Sequence, residues 1–313
     1  MNTTLLEHLR LGFAAVLGAG LVLAASRATA GPIPTGLSHL EVGSGTNLIT
    51  VFTYKPESYR DGPLVVVFHG LLRNAEDYCR NCIPLAESNH VIIAAPLFSK
   101  DEFDNEEYQR GGVLRHGVLQ PRGNWSYSRL PAIIEAIRQA EGKPALPYYF
   151  IGHSGGGQFV MRMSALYPMA AQRIVACNPG SELFPRRDWR FGYGFGGLPD
   201  ELSDDAALQR YLAAPLTLCL GLDDTDPQHP ELDRSAAAEQ EGRFRLERGR
   251  ACFEYAQKLA QEHGWKFNWR KVEVPGIAHD GKAMLASKEV QSALFNLETT
   301  ASASAPQASN SGL

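Results

Sequence analysis

Seven short segments of the chain are apolar over most of their length: 48–54 (LITVFTY), 64–68 (LVVVF), 91–95 (VIIAA), 148–151 (YYFI), 174–177 (IVAC), 216–220 (LTLCL) and 267–274 (FNWRKVEV). A strand with one wet face alternates apolar and polar residues, whereas consecutive apolar positions suggest burial on both faces. Between these runs, 74–88, 128–141, 157–167, 243–263 and 282–297 read as helices, the third stopped by Pro168. Strand and helix in alternation predict an α/β fold: a mostly parallel sheet flanked by helices, with ligands at the carboxyl ends of the strands. Residues 31–297 are read as a single domain on this pattern.

Two stretches interrupt the rhythm. Residues 100–127 are acidic at first (DEFDNEE) and then rich in glycine and arginine, and 181–214 carry FPRRDWRFGYGFGGLPDEL. Irregular stretches of such length in a compact domain serve as binding loops or lids, so both are expected over the site. The ends differ from the rest. Arg10 precedes an apolar run over 11–25, and SRATA follows at 26–30, the pattern of a secretory signal cleaved after Ala30; an uncleaved anchor is the alternative. The tail 298–313 (ETTASASAPQASNSGL) is small and polar and is expected to stay disordered. This reading makes the mature protein secreted or periplasmic, with no stable membrane association.

A formal net charge of −4 gives no global attraction for anions, which argues against a nucleic-acid partner. Of the five cysteines, Cys79 and Cys82 are the one close pair; export permits a bridge between them, although a pair three apart on a helix aims its side chains imperfectly. Cys177 and Cys219 lie inside strand-like runs and read as small hydrophobes. The acidic run at 101–107 lacks the glycine and terminal glutamate of a calcium loop and reads as a solvated face.

The chemistry concentrates at four strand ends. YYFI runs into Gly152-His153-Ser154-Gly155-Gly156, which fits G-x-S-x-G, a tight strand-to-helix turn that exposes a serine hydroxyl at the amino end of a helix. As a bare pattern it is weak, and its setting between an apolar strand and a helix strengthens it. Serine needs a base to take its proton and a carboxylate to orient that base. On this fold the partners follow in the order serine, acid, histidine. LTLCL leads into Gly221-Leu222-Asp223-Asp224-Thr225-Asp226-Pro227, and 267–274 leads into Pro275-Gly276-Ile277-Ala278-His279. His279 is the expected base, with His229 in the acidic loop as its rival. Placement three residues past the strand-ending glycine selects Asp224, with Asp226 as the alternative. The N–H of Gly155 and that of Leu71, in the His69-Gly70-Leu71-Leu72 turn after LVVVF, are expected to hold the oxyanion. This chemistry calls for no metal and no cofactor.

With these residues in place, the chain resembles the α/β-hydrolase superfamily from about Leu48 to Leu297. VVVFHGLLRNAEDY, GHSGGG, DDTDP and VPGIAHDGKAML are similar to secreted bacterial poly(3-hydroxybutyrate) depolymerases and poly(aspartic acid) hydrolases. The resemblance implies a serine hydrolase acting on an ester or polymer, with ester cleavage, including that of a polyester, as the first expectation. Amide cleavage in poly(aspartic acid) or a peptide is the second, and a binding protein that keeps the fold without the chemistry is the third. The chain lacks the serine- or threonine-rich linker and separate substrate-binding module of polymer depolymerases. For the substrate, Trp125 either walls the acyl site or staples the helix that follows. Trp189 and its neighbouring aromatics either form an apolar lid or anchor a loop. Arg73 and the loop arginines either hold substrate carboxylates or are surface charge paired with nearby acids.

Overall fold

The computed structural model describes residues 31–295. The expected signal at 1–30 and tail at 298–313 lie outside the described residues, as does the end of the last expected helix.

Among the described residues, one eight-stranded sheet organises the chain. Its strands are β1 (Gly36–Val42), β2 (Ile49–Lys55), β3 (Leu64–Phe68), β4 (Ile92–Pro96), β5 (Tyr148–His153), β6 (Ile174–Cys177), β7 (Leu216–Gly221) and β8 (Arg270–Val274). They lie in the order β1-β2-β4-β3-β5-β6-β7-β8, antiparallel across β1, β2 and β4 and parallel from β4 onward. The consecutive apolar residues do bury both faces. Leu64, Val66 and Phe68 join one core layer while Val65 and Val67 join the other, and Phe150 and Ile151 divide in the same way.

β1 is the strand that the apolar-run criterion passes over. Its residues alternate between half-buried and exposed because it is the edge strand, with one face in solvent. The helices α1 (Ala75–Asn81) and α2 (Ile83–Asn89) replace the single helix expected over 74–88. Pro84 lies in the first turn of α2, where its missing N–H is harmless; inside one long helix it would delete a hydrogen bond and clash with the preceding turn. Similarly the segment after β8 divides at Ser287, whose hydroxyl accepts from Val290 N and starts a new helix.

The acidic run 101–107 also has a local explanation. Asp104 caps the short helix Asn105–Gln109 in a reciprocal capping box with Glu107, 2.8 Å in one direction and 3.0 Å in the other. Among the described residues, no cluster of three or more His, Cys, Asp or Glu is placed to hold a metal ion. Cys79 and Cys82 are free, buried thiols, and burial pushes Cys79 up to about 12.

The strand order sets where a site can form. From β3 the chain moves outward to β4, then returns past β3 to β5, so the loops leaving β3 and β5 diverge and open a crevice at their carboxyl ends.

Candidate active site

At the end of β5 the backbone turns sharply into α3 (Gly155–Leu166), and Ser154 sits at the corner with φ +56° and ψ −116°. That conformation is strained for a side chain with a Cβ, at a cost of order 1–3 kcal/mol. Two bonds hold it: Ser154 N donates to Cys177 O at 2.9 Å, and Gln158 N donates to Ser154 O at 3.0 Å. The flanking glycines are demanded by space. A Cβ on Gly152 would overlap Gly156 O, and one on Gly156 would overlap Phe68 O.

His279 and Asp224 meet this serine from two other strand ends. His279 Nε2 lies 3.0 Å from Ser154 Oγ, and its Nδ1 lies 2.8 Å from Asp224 Oδ2. A carboxylate can only accept, so Nδ1 carries the proton and the Nε2 lone pair faces the hydroxyl. The two loops are stitched together. Asn178, with φ +41°, accepts from Gly221 N at 2.7 Å and donates to Ala278 O at 3.1 Å, while Asp223 N donates to Ile277 O at 3.0 Å. Asp224 is 2% exposed. Asp226, the alternative acid, is exposed and accepts from Gln228 N at 2.8 Å in the turn around Pro227, so it does not bond His279.

The turn after β3 packs against the serine. A Cβ on Gly70 would be 3.7 Å from Ser154 Cβ, and one on Gly155 would be 3.5 Å from Leu71 N. The Leu71 nitrogen is thereby brought close to Gly155 at the start of α3, an end of the helix where the dipole favours negative charge. Gln109 Nε2 comes within the same 3.5 Å of that position on Gly155, from the short helix in the long loop. No sequence signal marks Gln109, because its approach depends on where that loop folds.

His69 fixes the turn. Its Nε2 accepts from Phe98 N at 3.1 Å, so its Nδ1–H donates to Gly70 O at 3.0 Å. Burial lowers His69 to about 4. His153 is lowered well below the usual imidazole range, first by burial and then by His279 and Arg245. Both rings are neutral in the fold and protonate near pH 6.5 once unfolded. Their stabilising contribution is complete above that pH and declines as pH falls toward the folded value. Glu182, raised to about 8 by burial, acts in the opposite sense between about 8 and the ordinary glutamate range, so the comparison must be made by difference. The stability advantage of the wild type over His69→Gln is expected to shrink by about 3 kcal/mol between pH 7 and pH 4. Urea unfolding at both values measures it; a constant difference would mean that His69 titrates normally.

Three side chains assigned to substrate behave differently. Arg73 does not present its guanidinium to the cleft. It is 6% exposed, donates to Phe98 O at 2.9 Å and Asn105 Oδ1 at 3.2 Å, and stacks over Tyr108, so it braces the turn after β3. Trp125 is buried in the core, its indole N–H donating to Gln120 O at 2.9 Å, the packing alternative rather than an acyl wall. Trp189 is half-buried on Phe184 and Arg186 and lines a cavity of about 210 Å³ with Asp188, Arg190, Tyr193, Ala237 and Gln240. Its neighbours Phe184, Phe191, Tyr193 and Phe195 are buried. Most of the aromatic run thus anchors the loop to the core, helped by the fully buried Arg162, whose Nη2 donates to Ser181 Oγ at 2.9 Å.

Sequence reading also missed what surrounds His279. His153 packs beside it with ring centroids 4.7 Å apart and is held by Tyr78 OH at 3.0 Å. His229, considered as a rival base, instead meets His279 edge-on at 4.9 Å. Behind Asp224 lies Arg245, 1% exposed, with Nη1 at 3.3 Å from Asp224 Oδ1.

No protein-family model and no curated protein matches the chain in sequence. Solved structures do. Poly(aspartic acid) hydrolase-1 from Sphingomonas sp. KT-1 superimposes with a TM-score of 0.79 at 31% identity, over 84% of this chain and 100% of that one. LpqC, a poly(3-hydroxybutyrate) depolymerase from Bordetella parapertussis, gives 0.77 at 34% identity, over 84% of this chain and 91% of its own. With its sheet, helices and strand order, the chain belongs to the α/β-hydrolase superfamily of serine hydrolases, in the branch that holds these two enzymes.

Proposed function

We propose that the chain is an exported carboxylic ester hydrolase working through an acyl-enzyme on Ser154, with a polyester of hydroxy acids as its substrate class. The observation that carries this reading is the hydrogen-bonded run from Ser154 Oγ through His279 to Asp224, at 3.0 and 2.8 Å. Ser154 Oγ attacks the ester carbon as His279 Nε2 takes its proton, and Asp224 stabilises the imidazolium through Nδ1–H. The N–H groups of Leu71 and Gly155 receive the developing oxyanion. His279 then protonates the departing alkoxide, and water releases the acyl group by the same steps in reverse order.

Ester comes before polyanionic amide because most of the loop arginines are engaged within the protein, while Arg190 lies exposed at the cavity, stacked on Tyr193. Arg115 pairs with Glu107 at 2.9 Å, Arg187 pairs with Asp205 at 2.6 Å, Arg186 pairs with Asp188, and Arg73 is buried. A substrate carboxylate would have to displace these partners. Export rests on the residues before Gly31; among the described residues no helix is long and apolar enough to cross a membrane.

The test is a panel of emulsified poly(3-hydroxybutyrate), short- and long-chain nitrophenyl esters, and polyaspartate. Release of hydroxy acid and nitrophenol without cleavage of polyaspartate is expected. Polyaspartate cleavage in the absence of polyester cleavage would replace this reading with the amide one.

A further inference from the structure

Asp224 is a carboxyl group at 2% exposure, bonded on one oxygen by His279 at 2.8 Å. A buried carboxylate is costly unless something pairs with it. The pairing comes from the helix Arg245–His263, at its first residue. Arg245 Nη1 is 3.3 Å from Asp224 Oδ1, on the oxygen that His279 does not use, and Leu246 N donates to Asp224 O at 3.3 Å. The carboxylate is therefore gripped by a different group on each oxygen, with its backbone tied to the same helix end. Side-chain exposure at Arg245 and Asp224 is 1% and 2%, so water screens the pair weakly.

The same guanidinium reaches a second ring. Arg245 Nη2 lies 3.3 Å from His229 Nδ1, and Glu231 N also donates to that nitrogen at 3.3 Å. Arginine has only donors, so His229 Nδ1 is an acceptor there and the ring is held neutral. Burial lowers His229, with Arg245 next in effect and His279 after it. The titratable and charged groups around His279 are Asp224, His153 and His229 in contact, with Arg245, Glu231 and Tyr78 behind them. Among these, Arg245 is the fixed cation.

On the triad reading above, we propose that Arg245 is a positioning residue that sets the lower pH limit of activity. It orients Asp224 through the oxygen that His279 leaves free, and its guanidinium is the fixed charge that balances the carboxylate behind the imidazole. With Arg245 and Asp224 neutralising each other, a proton on His279 leaves a net positive charge in a dry site. Without Arg245 the same proton would neutralise the carboxylate, and imidazolium would form more readily. Removing the guanidinium thus moves the acidic limb of kcat/KM upward.

The test is the pH profile of kcat/KM for a short chromogenic ester, for the wild type, Arg245→Met and Arg245→Lys, with folding checked by thermal melting. In Arg245→Met the acidic limb is expected to rise by about 1 pH unit, a tenfold loss at acidic pH beyond any loss on the plateau. Arg245→Lys, which keeps the charge but not the two-pronged geometry, should hold the limb near the wild-type position while the plateau falls. A lower plateau with an unmoved limb in Arg245→Met would make the residue merely structural and overturn the proposal. A limb that moves in Arg245→Lys as far as in Arg245→Met would overturn it as well. If Arg245→Met does not fold, Arg245→Gln takes its place under the same criteria. Labelling of wild-type Ser154 by a fluorophosphonate separates the two levels: no labelling means that the triad reading has failed, whereas labelling with an unmoved limb means that only Arg245 has.

Discussion

Replacing Ser154 with alanine is expected to lower kcat on a short chromogenic ester by on the order of 10⁶-fold while leaving the melting temperature near that of the wild type. Among the described residues, Ser154 Oγ is the hydroxyl that His279 Nε2 bonds. The adjoining Gly155 lies close to the Leu71 nitrogen. The turn owes its shape to the glycines at 152 and 156 and to the Ser154 N–Cys177 O bond, none of which involves the hydroxyl. Alanine therefore removes the nucleophile and keeps the corner, although it inherits the positive φ. The loss should fall on kcat rather than KM, since the acyl bond forms only during reaction. Retained turnover in Ser154→Ala, or labelling of that variant by a fluorophosphonate, would place the nucleophile elsewhere.

Asp224→Asn should be the next most damaging change, with kcat falling by about 10⁴-fold. Asparagine fits the same space but can turn its NH₂ toward His279, which favours the tautomer with its proton on Nε2 and no lone pair for Ser154. It also leaves Arg245 buried without its anion, at a site 1% exposed, so some loss of stability accompanies the loss of rate. Asp226→Asn, two residues away, is the control: it is exposed, its turn to Gln228 N survives the substitution, and activity should stay within about twofold of the wild type, as for most surface changes. Measuring kcat for the pair settles which carboxylate serves. Equal losses in both, or a larger one in Asp226→Asn, would contradict the assignment.

The way these residues come together explains why some of the site could be read early and some could not. Ser154 follows a strand whose residues are apolar on consecutive positions, His279 follows the last strand of the sheet, and the order of strand ends along the chain supplied the roles. Spacing from the strand-ending glycine favoured Asp224 but left Asp226 open; what separates them is which carboxylate the Asn178-stitched turn folds inward, Asp224 buried against His279 and Asp226 exposed. Arg73, Trp125 and the aromatic run at 184–195 were harder, because residue type signals equally a ligand contact and a core contact. Burial separated them, and in each case most of the polar or aromatic surface went to the protein itself. The run at 101–107 carried a legible capping signal, Asp104 followed by Glu107, that charge density obscured.

By itself the sequence determined the alternation of strands and helices, the mostly parallel sheet, the four strand-end turns and the serine, acid and histidine order. These follow from local rules: hydrophobic periodicity, the space that only glycine leaves, and the chain direction that a βαβ crossover imposes. Tertiary structure alone decided that β1 closes the edge, that Gln109 reaches Gly155, and that Arg245 grips Asp224 from a helix 21 residues along the chain. Each of these depends on contacts between segments remote in sequence, and a contact made by one side chain of no special type leaves no periodic trace for the sequence to show.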